Sequence, residues 1–396
     1  MADNNRILSI DVMRGLTLLL MLFVNDFTMP LVTAGSGFCN SNFNGTGLSG
    51  WILAGFLFIA GMAIPLSIGK RISMGEKNIT IARYIAVRSV GLLIIGILML
   101  NSERINPEFT GMGKNLWAIL MFAGVFLIWN KYQETESNFF TIHGLRLLGI
   151  GILIALVFKF RSGEFANNGS LITGSWGALG IIGWGYLSIA FIYLAARDSI
   201  LNIVIAFFFF LAMNILSVLD MLTYLDPAKP LLGVIIDGYT PMIVISGTLT
   251  TMILKKYSSP TPGKAIVTIV TIGVFSFIAG LLLHNYFIIK EIQAASTWSI
   301  ICIGLSMIIF ALIYWITDIR RYSRWTLFIK TAGENSLMTF LVAAMLYSLI
   351  SITGIPVLIY KQSSYLLISV AGSILWSVLI ICIITILTRF NIRLKI

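Results

Sequence analysis

The sequence predicts an all-α, polytopic membrane bundle of about twelve transmembrane helices, on three observations. The first is composition: of 396 residues, 58% are apolar and only 11% charged, with a mean hydropathy of +0.95. Soluble domains carry about 25% charged residues, so this chain cannot cover a surface in water, and a soluble globular domain is excluded. The second is that the apolar residues fall in runs of roughly 20, the length that crosses a hydrocarbon core of about 30 Å. The third is charge asymmetry: with the N-terminus inside, 20 of the 27 Lys and Arg fall on the inner side and 7 on the outer. That bias sets the orientation, makes the number of crossings even and puts both termini in the cytoplasm.

In order, the first span (roughly 12–33) opens on Asp11 and Arg14 and closes on Asn25 and Asp26. The second (roughly 48–69) stops at Lys70 and Arg71, and the third (roughly 82–101) carries Arg88 near its start. The fourth and fifth (roughly 115–130 and 144–158) flank the inner Lys131 and Arg146. The sixth and seventh (roughly 176–196 and 199–219) turn at Arg197. The eighth (roughly 233–254) runs from Asp237 to Lys255 and Lys256, and the ninth (roughly 265–287) from Lys264 to His284. The tenth (roughly 298–317) ends before Arg320, Arg321 and Arg324. The eleventh (roughly 329–350) starts with Lys330, Glu334 and Asn335, and the twelfth (roughly 366–388) ends at Arg389.

The net charge of +11 is therefore membrane topology, and nucleic acid is not an expected partner. The polar start runs into the first span without a small-residue cleavage site, so that helix is expected to be retained. Three cysteines without CxxC spacing and two histidines, His143 and His284, predict neither disulfides nor a metal site. One domain, 1–396, is expected to cover the chain.

Ionisable groups in hydrocarbon are costly and have a partner or a task. Here the polar residues gather at two depths. Asp11, Arg14, Arg88, Glu334 and Asn335 lie toward the inside, and Asn25, Asp26, Asp237 and His284 toward the outside. The first helix joins both belts: Arg14 and Asn25 are about 16 Å apart along it. The bland alternatives are interfacial anchors for the inner group and hydrogen-bonded interhelical pairs for the outer one.

RILSIDVMRGLTLLLMLFVND (Arg6 to Asp26) joins a polar entry, an Asp-x-x-Arg-Gly turn and an apolar helix closing on Asn-Asp. It resembles the start of the heparan-alpha-glucosaminide N-acetyltransferase-like group of transmembrane acyltransferases. Further stretches are similar to that group's motifs: GLSGWILAGFLFIAGMAIPLS (Gly47 to Ser67), WGALGIIGWGYL (Trp176 to Leu187), IQAASTW (Ile292 to Trp298), FALIYWITDIRRYSRW (Phe310 to Trp325) and AGENSLMTFLV (Ala332 to Val342).

The resemblance implies transfer of an acetyl group from cytoplasmic acetyl-CoA to an extracytoplasmic sugar amine or hydroxyl. Arg14, Arg88 and Lys330 would hold the nucleotide phosphates by charge-assisted hydrogen bonds, and Asn335 would orient the thioester arm. Asn25 and Asp26 would stand where the thioester emerges. The family's outer-loop catalytic His is missing, because no histidine precedes position 143. In the register set by Gly45 its place falls near Asn40, and an amide cannot accept a proton near neutral pH. The family's Asp and Phe-Pro become Gly50 and Leu53-Ala54. The candidate substitutes are His284, Asp26, Asp237 and Cys39.

Three functions compete: an acyltransferase with a substitute base, a family member kept for binding or scaffolding in glycan metabolism, and a secondary transporter. The expected setting is a bacterial cytoplasmic membrane. The expected partners are acetyl-CoA, a sugar or polysaccharide acceptor, the lipid bilayer and a second copy of the chain.

Overall fold

Residues 7–34, 48–133, 139–162, 169, 171–172, 174, 176–257, 262–286, 294–354, 358–362 and 365–394 are described in a computed structural model. Each apolar run of the sequence is helical. The order is α1 (Leu8–Ala34), α2 (Leu48–Ser73), α3 (Asn78–Ser102), α4 (Pro107–Thr110), α5 (Lys114–Trp129), α6 (Phe139–Lys159), α7 (Gly177–Ala196) and α8 (Ile200–Val218). There follow α9 (Lys229–Ile236), α10 (Tyr239–Tyr257), α11 (Pro262–Tyr286), α12 (Ala294–Tyr314), α13 (Thr326–Glu334), α14 (Ser336–Thr353) and α15 (Leu366–Arg389). Among the described residues, eleven stretches are long and apolar enough to cross a membrane, and α5 is a shorter apolar helix. The protein is a multi-pass, all-α membrane protein.

Helices associate in lipid through close packing and interhelical hydrogen bonds, since no hydrophobic force drives them together. Small residues make those approaches here. A Cβ on Gly61 of α2 would lie 1.8 Å from the Val244 carbonyl oxygen of α10, and one on Gly247 would lie 1.9 Å from that of Phe58. Pro65 lacks the N–H that would have bonded the Gly61 carbonyl. The Thr248 hydroxyl donates to that same carbonyl at 3.0 Å, and Thr251 donates to Met62 O at 3.0 Å. α3 meets α7 at Gly96, whose Cβ would fall 2.4 Å from the Gly180 nitrogen. Val12, Phe58, Tyr193, Val244 and Phe310 are fully enclosed in the central core. The outer faces of α8 and α11 expose Phe208, Phe209 and Phe275.

Two predicted spans are broken. The eighth divides into α9 and α10 at Gly238, where φ is +71° and a Cβ would meet the Phe210 carbonyl at 2.5 Å. Side-chain-free, left-handed backbone is what glycine supplies. The eleventh divides into α13 and α14 at Asn335, whose backbone (φ −118°, ψ 43°) is not helical. Chain ends expected on the same side of the membrane do meet: Ile105 bridges Ser162, and Asn130 bridges Leu394.

Candidate functional site

Asp11 is a buried residue of the first turns of α1, and its carboxylate stands 3.7 Å from the Arg14 guanidinium one turn on. Arg14 also donates to the Gly333 carbonyl at 3.5 Å, across the α1–α13 crossing. That crossing is backbone to backbone: a Cβ on Gly333 would lie 2.1 Å from the Asp11 carbonyl oxygen, and one on Gly15 would lie 2.2 Å from that of Ile329. The Asp-x-x-Arg-Gly turn thus supplies a cation, its counter-charge and the missing side chain that lets α13 approach. Asp318, in a π-helical turn Trp315–Ile319, accepts from the backbone nitrogens of Leu8 (3.1 Å) and Ser9 (2.9 Å). A carboxylate there satisfies orphan N–H groups and complements the positive end of the α1 dipole.

Arg14 lines a cavity of about 430 Å³ walled by α1, α2, α3, α7, the α13–α14 junction and Leu394. Leu18, Met21, Ile52, Phe56, Ile59 and Ile182 give it an apolar middle, and Asn25 lines it as well. One continuous cavity therefore touches both belts foreseen along α1. Arg88 lines it too. Because α3 begins at Asn78, Arg88 lies about 15 Å into that helix, deeper than its sequence position suggests. Its guanidinium donates to the Tyr84 hydroxyl at 3.1 Å and sits 5.1 Å over the Tyr186 ring. Arg71 covers the Tyr84 ring at 3.9 Å, so cations and aromatics alternate from the surface into the cavity. Tyr186 lines the cavity, and its buried hydroxyl has no hydrogen-bond partner of normal geometry among the described residues.

The sequence-predicted residues separate clearly. Arg14, Arg88, Asn25 and Asn335 share the cavity. The Asn335 amide is tethered to Thr331 O at 3.0 Å. Lys330 is not on the wall; it faces Glu334, which is, at 3.7 Å. Asp26 is wholly buried and also off the wall, taken up by Tyr347, Tyr360 and Lys361. Asp237 accepts from Ser217 at 3.1 Å, away from the cavity. Asn40, Cys39 and the side chain of His284 lie outside the described residues.

Sequence reasoning missed Tyr84, Tyr186, Asp318, Tyr347, Tyr360 and Lys361. Tyr84 was within reach as the i−4 neighbour of Arg88. The others depend on contacts between distant segments.

The family described as "Heparan-alpha-glucosaminide N-acetyltransferase, catalytic" matches residues 6–106, a stretch holding Asp11, Arg14, Asn25, Asp26 and Arg88. The human (Homo sapiens) heparan-alpha-glucosaminide N-acetyltransferase is 29% identical over 147 residues, which is 36% of this chain and 19% of that protein. The match thus spans about a fifth of that relative's length. With α1, α2 and α3, three of the cavity walls, inside the matched stretch, the first quarter of this multi-pass membrane protein is similar to the catalytic region of heparan-alpha-glucosaminide N-acetyltransferase.

Proposed function

We propose that the chain is a transmembrane acyltransferase that takes an acetyl group from cytoplasmic acetyl-CoA and delivers it to an extracytoplasmic sugar amine or hydroxyl. The observation that carries this reading is the single cavity touching Arg14 and Arg88 on one side and Asn25 on the other. Its donor set suits the donor substrate. Two guanidiniums match phosphate, the Tyr84 hydroxyl and the Asn335 amide add polar contacts, and the apolar middle fits a long thin arm.

In the transfer the acceptor's nitrogen or oxygen bonds to the acyl carbon, the C–S bond breaks, and the acceptor's proton ends on the departing thiolate. Asn25 would donate its amide N–H to the thioester carbonyl, where negative charge develops. Lys330 would hold Glu334 off the incoming phosphates. The proton acceptor is assigned to the outer-side residues, with His284 the group of suitable chemistry and Asn40 orienting the acceptor. The membrane is taken to be the cytoplasmic membrane, with both termini inside and a homodimer as the assembly.

A binding protein without catalysis is favoured by one fact: the chain before position 143 holds no histidine. Labelled acetyl-CoA offered to inside-out vesicles with amino-sugar and neutral-sugar acceptors on the other side decides. Transfer that vanishes with Arg88→Ala supports the enzyme. Tight coenzyme A binding without transfer to any acceptor supports the binding protein, and absence of binding overturns both.

A further inference from the structure

We propose that Asp26, Lys361, Tyr347 and Tyr360 form a positioning cluster that fixes the rotation of the outer end of α1 and so aims the Asn25 amide into the cavity. The idea rests on the acyl-transfer reading for its catalytic meaning, but not for its geometry. Asp26 is 0% exposed, and both of its carboxylate oxygens are engaged. Oδ1 accepts from the Tyr347 hydroxyl and pairs with Lys361 Nζ at 2.8 Å, and Oδ2 accepts from the Tyr360 hydroxyl at 2.6 Å. Lys361 Nζ also lies 4.8 Å from the centroid of the Tyr347 ring. The turn that carries Tyr360 and Lys361, Ile359–Gln362, is itself held to α15: Ser369 donates to the Tyr360 carbonyl at 3.2 Å, and a Cβ on Gly372 would fall 2.2 Å from the Tyr360 ring. One residue of α1 thus gathers α14, that turn and α15.

Helix geometry links this cluster to the cavity. Consecutive residues point about 100° apart, so a helix that turns Asp26 toward α14 and α15 turns Asn25 elsewhere. Asn25 is accordingly exposed, and it lines the cavity. A rotation of α1 by a few tens of degrees moves a side-chain tip by several ångströms, and a misplacement of about 1 Å at a reacting centre can cost about a hundredfold in rate. A carboxylate with three donors is a poor general base but a stiff anchor. Apolar residues serve mere cohesion as well as a buried ion pair does, whereas directional bonds fix an angle.

The test reads the orientation of position 25 directly. In full-length protein with Cys39, Cys302 and Cys382 changed to Ser, Asn25→Cys is modified in membranes by a small methanethiosulfonate. Leu53→Cys, on the same cavity wall, is the control. The expected result is rapid modification in the parent and a fall of at least fivefold at position 25 in the Tyr347→Phe/Tyr360→Phe and Lys361→Ala variants. The control rate should stay within twofold, and Lys361→Arg should restore the parent value. If the double variant fails to fold, each single Phe variant decides by a smaller fall in the same direction. An unreactive parent, or variants that lose thermal stability while the folded fraction keeps the parent rate, would overturn the proposal. Coenzyme A protection of Asn25→Cys is a separate arm: its absence counts against the acyl-donor reading alone.

Discussion

Gly15 of α1 lies against the main chain of Ile329 in α13, so close that a Cβ on it would stand 2.2 Å from the Ile329 carbonyl oxygen and 2.6 Å from its Cγ2. No rotamer relieves a clash with backbone. Gly15→Ala is therefore expected to push the two helices apart, at a cost of about 1–3 kcal/mol or more, and to carry the neighbouring Arg14 away from Gly333 O. Gly263→Ala, where a Cβ would meet nothing within 4 Å, should be neutral. Melting of the two purified variants, followed by size-exclusion chromatography, checks the contrast.

The Gly61 carbonyl freed by Pro65 is capped by Thr248. Thr248→Val keeps the shape and removes the donor, so it should cost about 0.5–2 kcal/mol, the range for interhelical hydrogen bonds in membranes. In a Pro65→Ala background the restored N–H takes over the carbonyl and the same change should cost less. A double-mutant cycle on thermal stability measures the difference, and an equal cost in both backgrounds would refute the coupling.

Arg88 is held by Tyr84 and over Tyr186 within the cavity. Arg88→Ala should weaken coenzyme A binding by about ten- to a hundredfold, the worth of a charged hydrogen bond or two. Arg88→Lys keeps the charge but not the planar fork, and should recover only part of it. Isothermal titration in detergent reads both, with Arg71→Ala, nearer the surface, expected to lose less.

Burial first, and then the Asp26 carboxylate, push the Tyr360 phenol well above its usual value of 10.0. A raised folded value means that the bond to Asp26 contributes in full below pH 10.0 and is lost only as pH rises through the higher folded value. The stability difference between the parent and Tyr360→Phe should thus be constant from neutral pH to about 10 and shrink above it. Chemical unfolding across that range is the measurement. A difference already falling at pH 8 would place the ionisation elsewhere.

Much of the fold was legible because its cause is local. Most runs of apolar residues are long enough to span, and the polar and charged residues between them mark where the helices end. The two broken spans were not read from the sequence: hydropathy runs on through Asp237-Gly238 and Glu334-Asn335, and at Gly238 the break accompanies a close approach to the Phe210 carbonyl. Within the site, Arg14, Arg88, Asn25 and Asn335 stood out as polar groups in apolar helices, and the cavity unites them. Asp26 stood out for the same reason, yet depth alone could not tell a group facing the cavity from one facing α14 and α15.

Read alone, then, the chain's residues settle the solvent of this protein, its all-α character and the short list of polar residues worth explaining. Hydropathy and charge act along the chain and need no partner. Only the tertiary structure decided which helices enclose the cavity, that Lys361 answers Asp26, and that Tyr84 and Tyr186 frame Arg88. Those outcomes follow from helix rotation and crossing, which are set where a glycine meets a distant carbonyl and not by the order of residues on either side of it.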